Sequence, residues 1–137
     1  MYTIKGRYAA ALLTIDDYFD RVTRTVRKGA VSAQAGEKFL CPVNMRDGTL
    51  ICVGKGNADW NCSAPHGAGR LMSRGDAKAV LELSEVKRSL GGLYTTTIET
   101  SLDEAPEAYK SLDFIRGHIT PTGDIVDRLL PIYNFKG

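Results

Sequence analysis

Two short apolar runs, Phe39-Leu40-Cys41 and Thr49-Leu50-Ile51-Cys52-Val53, flank the segment Asn44-Met45-Arg46-Asp47-Gly48 with its Asp-Gly turn signal. They read as two short buried strands joined by that turn. Before them, residues 1–20 read as an irregular or helical lead-in, with Ala9 to Leu13 the only good helix-forming run. Thr23-Arg24-Thr25-Val26-Arg27 is rich in β-branched residues and predicts a strand, running into Lys28-Gly29-Ala30, where glycine permits a turn. Period-two geometry puts Arg21 and Arg27 on one face and Arg24 on the other, which argues against a single basic stripe.

After them, Ser73 is placed to cap a helix over roughly 74–81, and Ser84 to cap another that stops at Gly91-Gly92. Leu93 to Ile98 predicts a strand. A short helix from Asp103, another near Leu112 to Ile115, and a final strand from Ile125 towards Phe135 complete the pattern. Short strands and short helices interleave without a βαβ rhythm, so the class is α+β. The glycine pair of Gly54-Lys55-Gly56 reads as an ordinary turn rather than a second anion loop.

A chain of 137 residues, 43% hydrophobic and 25% charged, is enough for one domain with a real core. Its net charge of +2 conceals an asymmetry: residues 1–75 hold 11 Lys/Arg against 6 Asp/Glu, and residues 76–137 hold 7 against 10. The first half is where an anionic partner would bind, although solvated faces produce similar imbalances. Three cysteines, Cys41, Cys52 and Cys62, have no paired spacing, and no leader of secretory type is visible, so a reduced, cytoplasmic protein is expected. The segment Tyr8 to Leu13 is too short and too weakly apolar to span a bilayer, so no membrane association is expected.

The segment with the most chemistry is His66-Gly67-Ala68-Gly69-Arg70-Leu71-Met72-Ser73-Arg74. Gly67 and Gly69 let the backbone approach an anion closely, N–H groups can point into one concavity, and Arg70 and Arg74 can add charge-assisted bonds to phosphate oxygens. His66 would stand beside that phosphate as a nucleophile. Gly-x-Gly pairs also occur in plain turns, so the string by itself leaves both readings open. Cys62, four residues before His66, could share a metal with it, but the only other histidine is His118 and no Cys-x-x-Cys occurs. A small, partly buried thiol is the better reading of Cys62.

Further segments occur in order around this one: Arg27-Lys28-Gly29-Ala30, then Asn44 to Gly48, then Ser63-Ala64-Pro65 leading into His66, then Asp103-Glu104-Ala105-Pro106-Glu107-Ala108-Tyr109-Lys110, and the ending Asn134-Phe135-Lys136-Gly137. With them the chain resembles the C-terminal part of the RtcB-type RNA ligases over about residues 20 to 137. The division implied is a lead-in of residues 1–20 and an RtcB-like C-terminal region of residues 21–137, an α+β portion of that fold carrying the guanylation motif.

The resemblance implies a GTP- and manganese-dependent ligase of tRNA splicing and RNA repair. Its RNA partner carries a 3′-phosphate, or a 2′,3′-cyclic phosphate, at one end and a 5′-hydroxyl at the other. By resemblance, His66 attacks the α-phosphate of GTP to form a covalent histidine–guanylate. An unperturbed imidazole has a pKa of about 6.5, so its neutral form is available near physiological pH. Gly67, Ala68, Gly69 and Arg70 would bind the nucleotide phosphate, with Tyr109 and Lys136 at the guanine. Asn44 and Thr49 fall where many family members have nucleotide-binding serines. The family's metal ligands, an Asp-x-x-Cys motif and several histidines, lie upstream of the region present here. Asp16-Asp17 falls where one of those histidines stands in a His-Asn pair before the Lys-Gly-Ala segment; Asp16 could bind manganese, but a single carboxylate does not make a site. A second polypeptide supplying the metal-binding half is therefore an expected partner. The alternative is a non-catalytic module that binds a guanine nucleotide or an RNA end.

Overall fold

The computed structural model describes residues 16–96 and 98–135, the first three by backbone alone. The architecture is a mixture of short antiparallel strands and three helices, the α+β class expected. Strands β1 (Asp16–Asp20), β2 (Thr25–Ser32) and β5 (Ser63–Pro65) form one antiparallel sheet in the order β1-β2-β5. Strands β3 (Lys38–Asn44), β4 (Gly48–Gly54) and β7 (Gly123–Leu129) form a second in the order β3-β4-β7.

The Asp-Gly turn does what its chemistry predicts. Asn44 Oδ1 accepts from the amides of Arg46 and Asp47, and Gly48 adopts a φ of +78°, closing β3 onto β4. On β3 the side chains alternate, so Phe39, Cys41 and Val43 point inward. They meet Leu50 and Cys52 of β4, and with Val31, Ala33, Ala64, Ala68, Ile115 and Ile119 they make the larger apolar cluster. The second cluster gathers Val86, Leu90, Ile98 and Ala105. Its helix α2 (Leu83–Ser89) follows α1 (Arg74–Val80), and α3 (Leu112–Ile119) supplies Ile115 and Ile119 to the first.

Ser73 caps α1 as expected, its Oγ accepting from the Asp76 amide at 3.1 Å. Gly91 and Gly92, at φ +60° and +86°, follow α2 directly. Five expectations need correction. Residues 16–20 are a strand rather than an irregular or helical lead-in, because β2 offers them an edge to pair with. The expected turn at Lys28-Gly29-Ala30 is instead an irregularity inside β2: Asp16 pairs with Val31 and Tyr18 with Arg27, with Gly29 at φ +65° taking up the extra length. Helix α2 begins after Glu82, not Ser84, since Leu83 has to join Val86 and Leu90 on the buried face. The strand foreseen over 93–98 is only β6 (Tyr94–Thr95), because its parallel partner β8 (Tyr133–Asn134) is equally short. The last strand is broken between Leu129 and Tyr133, where Pro131 cannot donate to a ladder.

The Gly54-Lys55-Gly56 segment is an ordinary turn. Its three amides donate to Glu37, Thr122 and Ala33 carbonyls, so none is left for an anion. Among the described residues no helix is long and apolar enough to cross a membrane.

Candidate functional site

Pro42 explains where the His66 loop lies. It sits on an edge strand, where a missing N–H is tolerated, and its carbonyl is therefore available. The Ala68 amide donates to it at 3.0 Å. Glycine suits position 67, because a Cβ there would come to a tight 3.2 Å from that same oxygen. Gly69 meets nothing within 4 Å but takes φ +72°, a backbone that L side chains rarely adopt. The two glycines thus serve different ends, close approach and chain direction.

Of the amides expected to form an anion cradle, Ala68's is turned back to Pro42. Those of Gly67 and Gly69 donate to no other described residue. His66 is exposed, and its ring lies over Gly29, whose Cβ position is 3.8 Å from His66 Nε2. The irregularity in β2 therefore brings the Arg27-Lys28-Gly29-Ala30 segment against the histidine. Arg27 itself is buried, with Nε donating to Ser63 Oγ at 3.0 Å and Nη1 3.5 Å from Asp20 Oδ2, so it braces β1, β2 and β5.

The far side of the loop is fastened to the Asp103–Tyr109 segment, which forms two single turns of 3-10 helix, Leu102–Glu104 and Pro106–Ala108. Arg70 pairs with Tyr109 as a lone antiparallel bridge: the Leu71 amide donates to Ala108 at 2.8 Å and the Lys110 amide to Gly69 at 3.0 Å. The Arg70 side chain follows the same path. Its Nε donates to Met72 O at 3.1 Å, Nη1 to Tyr109 Oη at 3.1 Å and Nη2 to Asp103 O at 2.6 Å, with the guanidinium 5.0 Å above the Tyr109 ring. Tyr109 in turn donates to Glu104 Oε2 at 2.6 Å.

Burial, then the bond to and charge of Glu104, push the Tyr109 hydroxyl up to about 12 against the opposing pull of Arg70. Asp103 is nearly buried. Burial works to raise it, but its own backbone amide together with Lys78 and Arg74 hold it below the ordinary carboxylate range. Arg74 is otherwise exposed and stands 3.4 Å from Glu104 Oε1.

The other anticipated residues lie around this loop. Asn44, two residues beyond Pro42, spends its amide on Asp47 Oδ2 at 2.8 Å and its oxygen on the turn. Thr49 lies across the ladder from Pro42, half-buried. Lys136 lies outside the described residues, as does the side chain of Asp16. Asn134, two positions before Lys136, donates to Met45 O at 3.0 Å, which ties the C-terminal segment to the Asn44 turn. Cys62 is a half-buried free thiol. Among the described residues, no three of His, Cys, Asp or Glu stand close enough to hold a metal ion, so they do not fit a manganese site. Sequence reasoning missed Asp103 and Glu104 as parts of the site. Their link to Arg70 spans more than thirty residues, and the lone bridge between Arg70 and Tyr109 reveals it.

A family model described as tRNA-splicing ligase RtcB matches residues 12–137, and the chain belongs to that family. It is similar to the RNA-splicing ligase RtcB of Escherichia coli strain K12, with 32% identity over 122 residues, 89% of this chain and 30% of the relative. It is similar also to the tRNA-splicing ligases RtcB of Aeropyrum pernix, 37% identical over 110 residues, and Archaeoglobus fulgidus, 36% identical over 110 residues. Each of those two matches covers 74% of this chain and 23% of the relative. The chain thus spans less than a third of the length of these relatives, matching their C-terminal part.

Proposed function

We propose that this chain is the guanylation part of a cytoplasmic, GTP-dependent RNA ligase, with His66 as the nucleophile. The observation that supports this is the pair of amides at Gly67 and Gly69 that donate to no described residue, next to an exposed imidazole, an arrangement suited to an incoming phosphate. The His66 imidazole forms a bond to the α-phosphorus of GTP and pyrophosphate leaves. The guanylate then passes to an RNA 3′-phosphate, and attack by a 5′-hydroxyl releases GMP and closes the phosphodiester. Gly67, Ala68, Gly69 and Arg70 shape the phosphate loop. Asn44, Thr49, Tyr109 and Lys136 complete the nucleotide site. The basic first half of the sequence serves the RNA backbone.

Manganese belongs to the family reading, and its ligands fall in the part of the relatives that these 137 residues do not match. The chain by itself therefore has little or no activity, since phosphoryl transfer without a metal loses a main source of charge stabilisation. The test is incubation with α-labelled GTP and Mn²⁺, with and without the uncovered part of the E. coli relative, followed by denaturing electrophoresis. Label on the chain only in the presence of that polypeptide, and lost in His66→Ala, is expected. Label on the chain alone would overturn the need for a partner. No label in either mixture, with GTP still bound, would turn the reading to a non-catalytic nucleotide-binding module.

A further inference from the structure

Beyond β5, the His66 loop is fastened at two further points. At its middle, one backbone bond joins Ala68 to Pro42. At its far end, Gly69 to Leu71 are held by only two backbone bonds to residues 108–110. Two such bonds do not by themselves fix a loop whose Gly69 has no side chain to pack against its surroundings. What reinforces that end is the side-chain chain Arg70–Tyr109–Glu104. The Tyr109 hydroxyl has one proton to give and gives it to Glu104, which turns its lone pairs towards Arg70 Nη1. Three of the donors on Arg70 are then spent inside the protein, on Met72, Tyr109 and Asp103.

We propose that Glu104 is a positioning residue for His66: by accepting the Tyr109 hydroxyl proton it orients Tyr109 to hold Arg70, and Arg70 to hold the path of Gly67–Gly69 against the histidine. Arg70 on this account acts on the nucleotide through the loop and not by direct contact with phosphate. The idea rests on the guanylation reading above, but it concerns a residue to which that reading gives no role. The Glu104 carboxylate also faces two guanidiniums, Arg74 Nη2 at 3.4 Å and Arg70 Nη1 at 3.9 Å from its Oε1, while Lys78 and Arg74 pair with the neighbouring Asp103.

The side-chain amide of glutamine keeps an oxygen where Tyr109 needs one, whereas alanine does not, and this separates the hydrogen bond from mere bulk. In the full chain combined with the metal-supplying polypeptide, Glu104→Ala is expected to lower the guanylation rate about tenfold and Glu104→Gln to restore it to within about twofold of wild type. The His66 ring proton resonances, followed by NMR on the full chain without nucleotide, are expected to move in Glu104→Ala and to return in Glu104→Gln. Those of His118, bonded to the Phe114 carbonyl on α3, stay fixed. Should Glu104→Ala not fold, Tyr109→Phe removes the same hydrogen bond with one atom changed and is expected to shift the His66 resonances similarly. Unmoved His66 resonances in a folded Glu104→Ala or Tyr109→Phe protein, or a Glu104→Gln protein as altered as Glu104→Ala, would overturn the proposal. If wild type fails to take label, the ligase reading has failed, and the NMR comparison still decides the positioning role.

Discussion

Gly29 shows how much one residue can hold. It sits at φ +65° inside β2, where it absorbs the extra length of that strand and brings the Lys28-Gly29-Ala30 backbone under the His66 ring. An alanine methyl would have room, its nearest atom being 3.8 Å away, so the cost of substitution is conformational and not steric. Gly29→Ala is therefore expected to destabilise the protein by about 1 kcal/mol, and Gly29→Asn by less, because asparagine visits the left-handed region more readily. Urea denaturation of the two variants measures the difference, and equal losses would place the cause elsewhere. The residue types at the site, histidine between a proline and a glycine-bearing turn, were legible in the sequence. The inward course of Arg70 was not, since an arginine in such a string serves a phosphate or a tyrosine equally well until Tyr109 is brought beside it.

At the level of elements, the β3–β4 hairpin was the most legible part of the fold. Its alternation and its Asp-Gly turn agree with each other, and both are local. The hairpin also fixes the chemistry of two cysteines. Cys41 and Cys52 face the same buried side, and burial pushes their thiols up to about 12 and about 11 respectively, Cys41 being raised further by Cys52. A water-soluble disulfide reagent at pH 8, roughly the pH at which an ordinary thiol begins to ionise, should therefore modify Cys62 rapidly and leave Cys41 and Cys52 until the chain unfolds. Rapid modification of more than one thiol in the folded protein would contradict the burial of this hairpin. The less legible elements are β1, β5, β6 and β8, each five residues or fewer. Nothing within such short stretches declares a strand, and their identity depends on the partner that a distant part of the chain presents.

Across the whole molecule, titration of buried groups couples to folding. Tyr109, Cys41 and Cys52 are acids whose neutral forms the fold favours, so each keeps its proton longer folded than unfolded. Below the ordinary values of these groups, about 8.5 for a thiol and 10 for a phenol, the two states bind equal numbers of protons and stability is flat. Above them the unfolded chain releases protons first, so stability falls as pH rises through the interval up to about 12. Denaturation midpoints measured from pH 8 upward should decline along this course, and Tyr109→Phe should flatten the part above about pH 10. A profile unchanged by that substitution would remove Tyr109 from the account.

The α+β class, the hairpin, the cap at Ser73, the halt at Gly91-Gly92 and the His66 turn could all be read from residues in order, because each rests on interactions spanning a few positions. So could membership in the RtcB family, which depends on several segments keeping their order along the chain. What required the folded molecule was every long-range closure: Pro42 receiving Ala68, Gly29 lying under His66, and Arg70 passing through Tyr109 to Glu104. A contact between segments distant in the chain leaves no periodicity and no composition behind. Only packing that brings the two segments to within about 3 Å reveals which donors are spent and which, like the amides of Gly67 and Gly69, donate to no described residue.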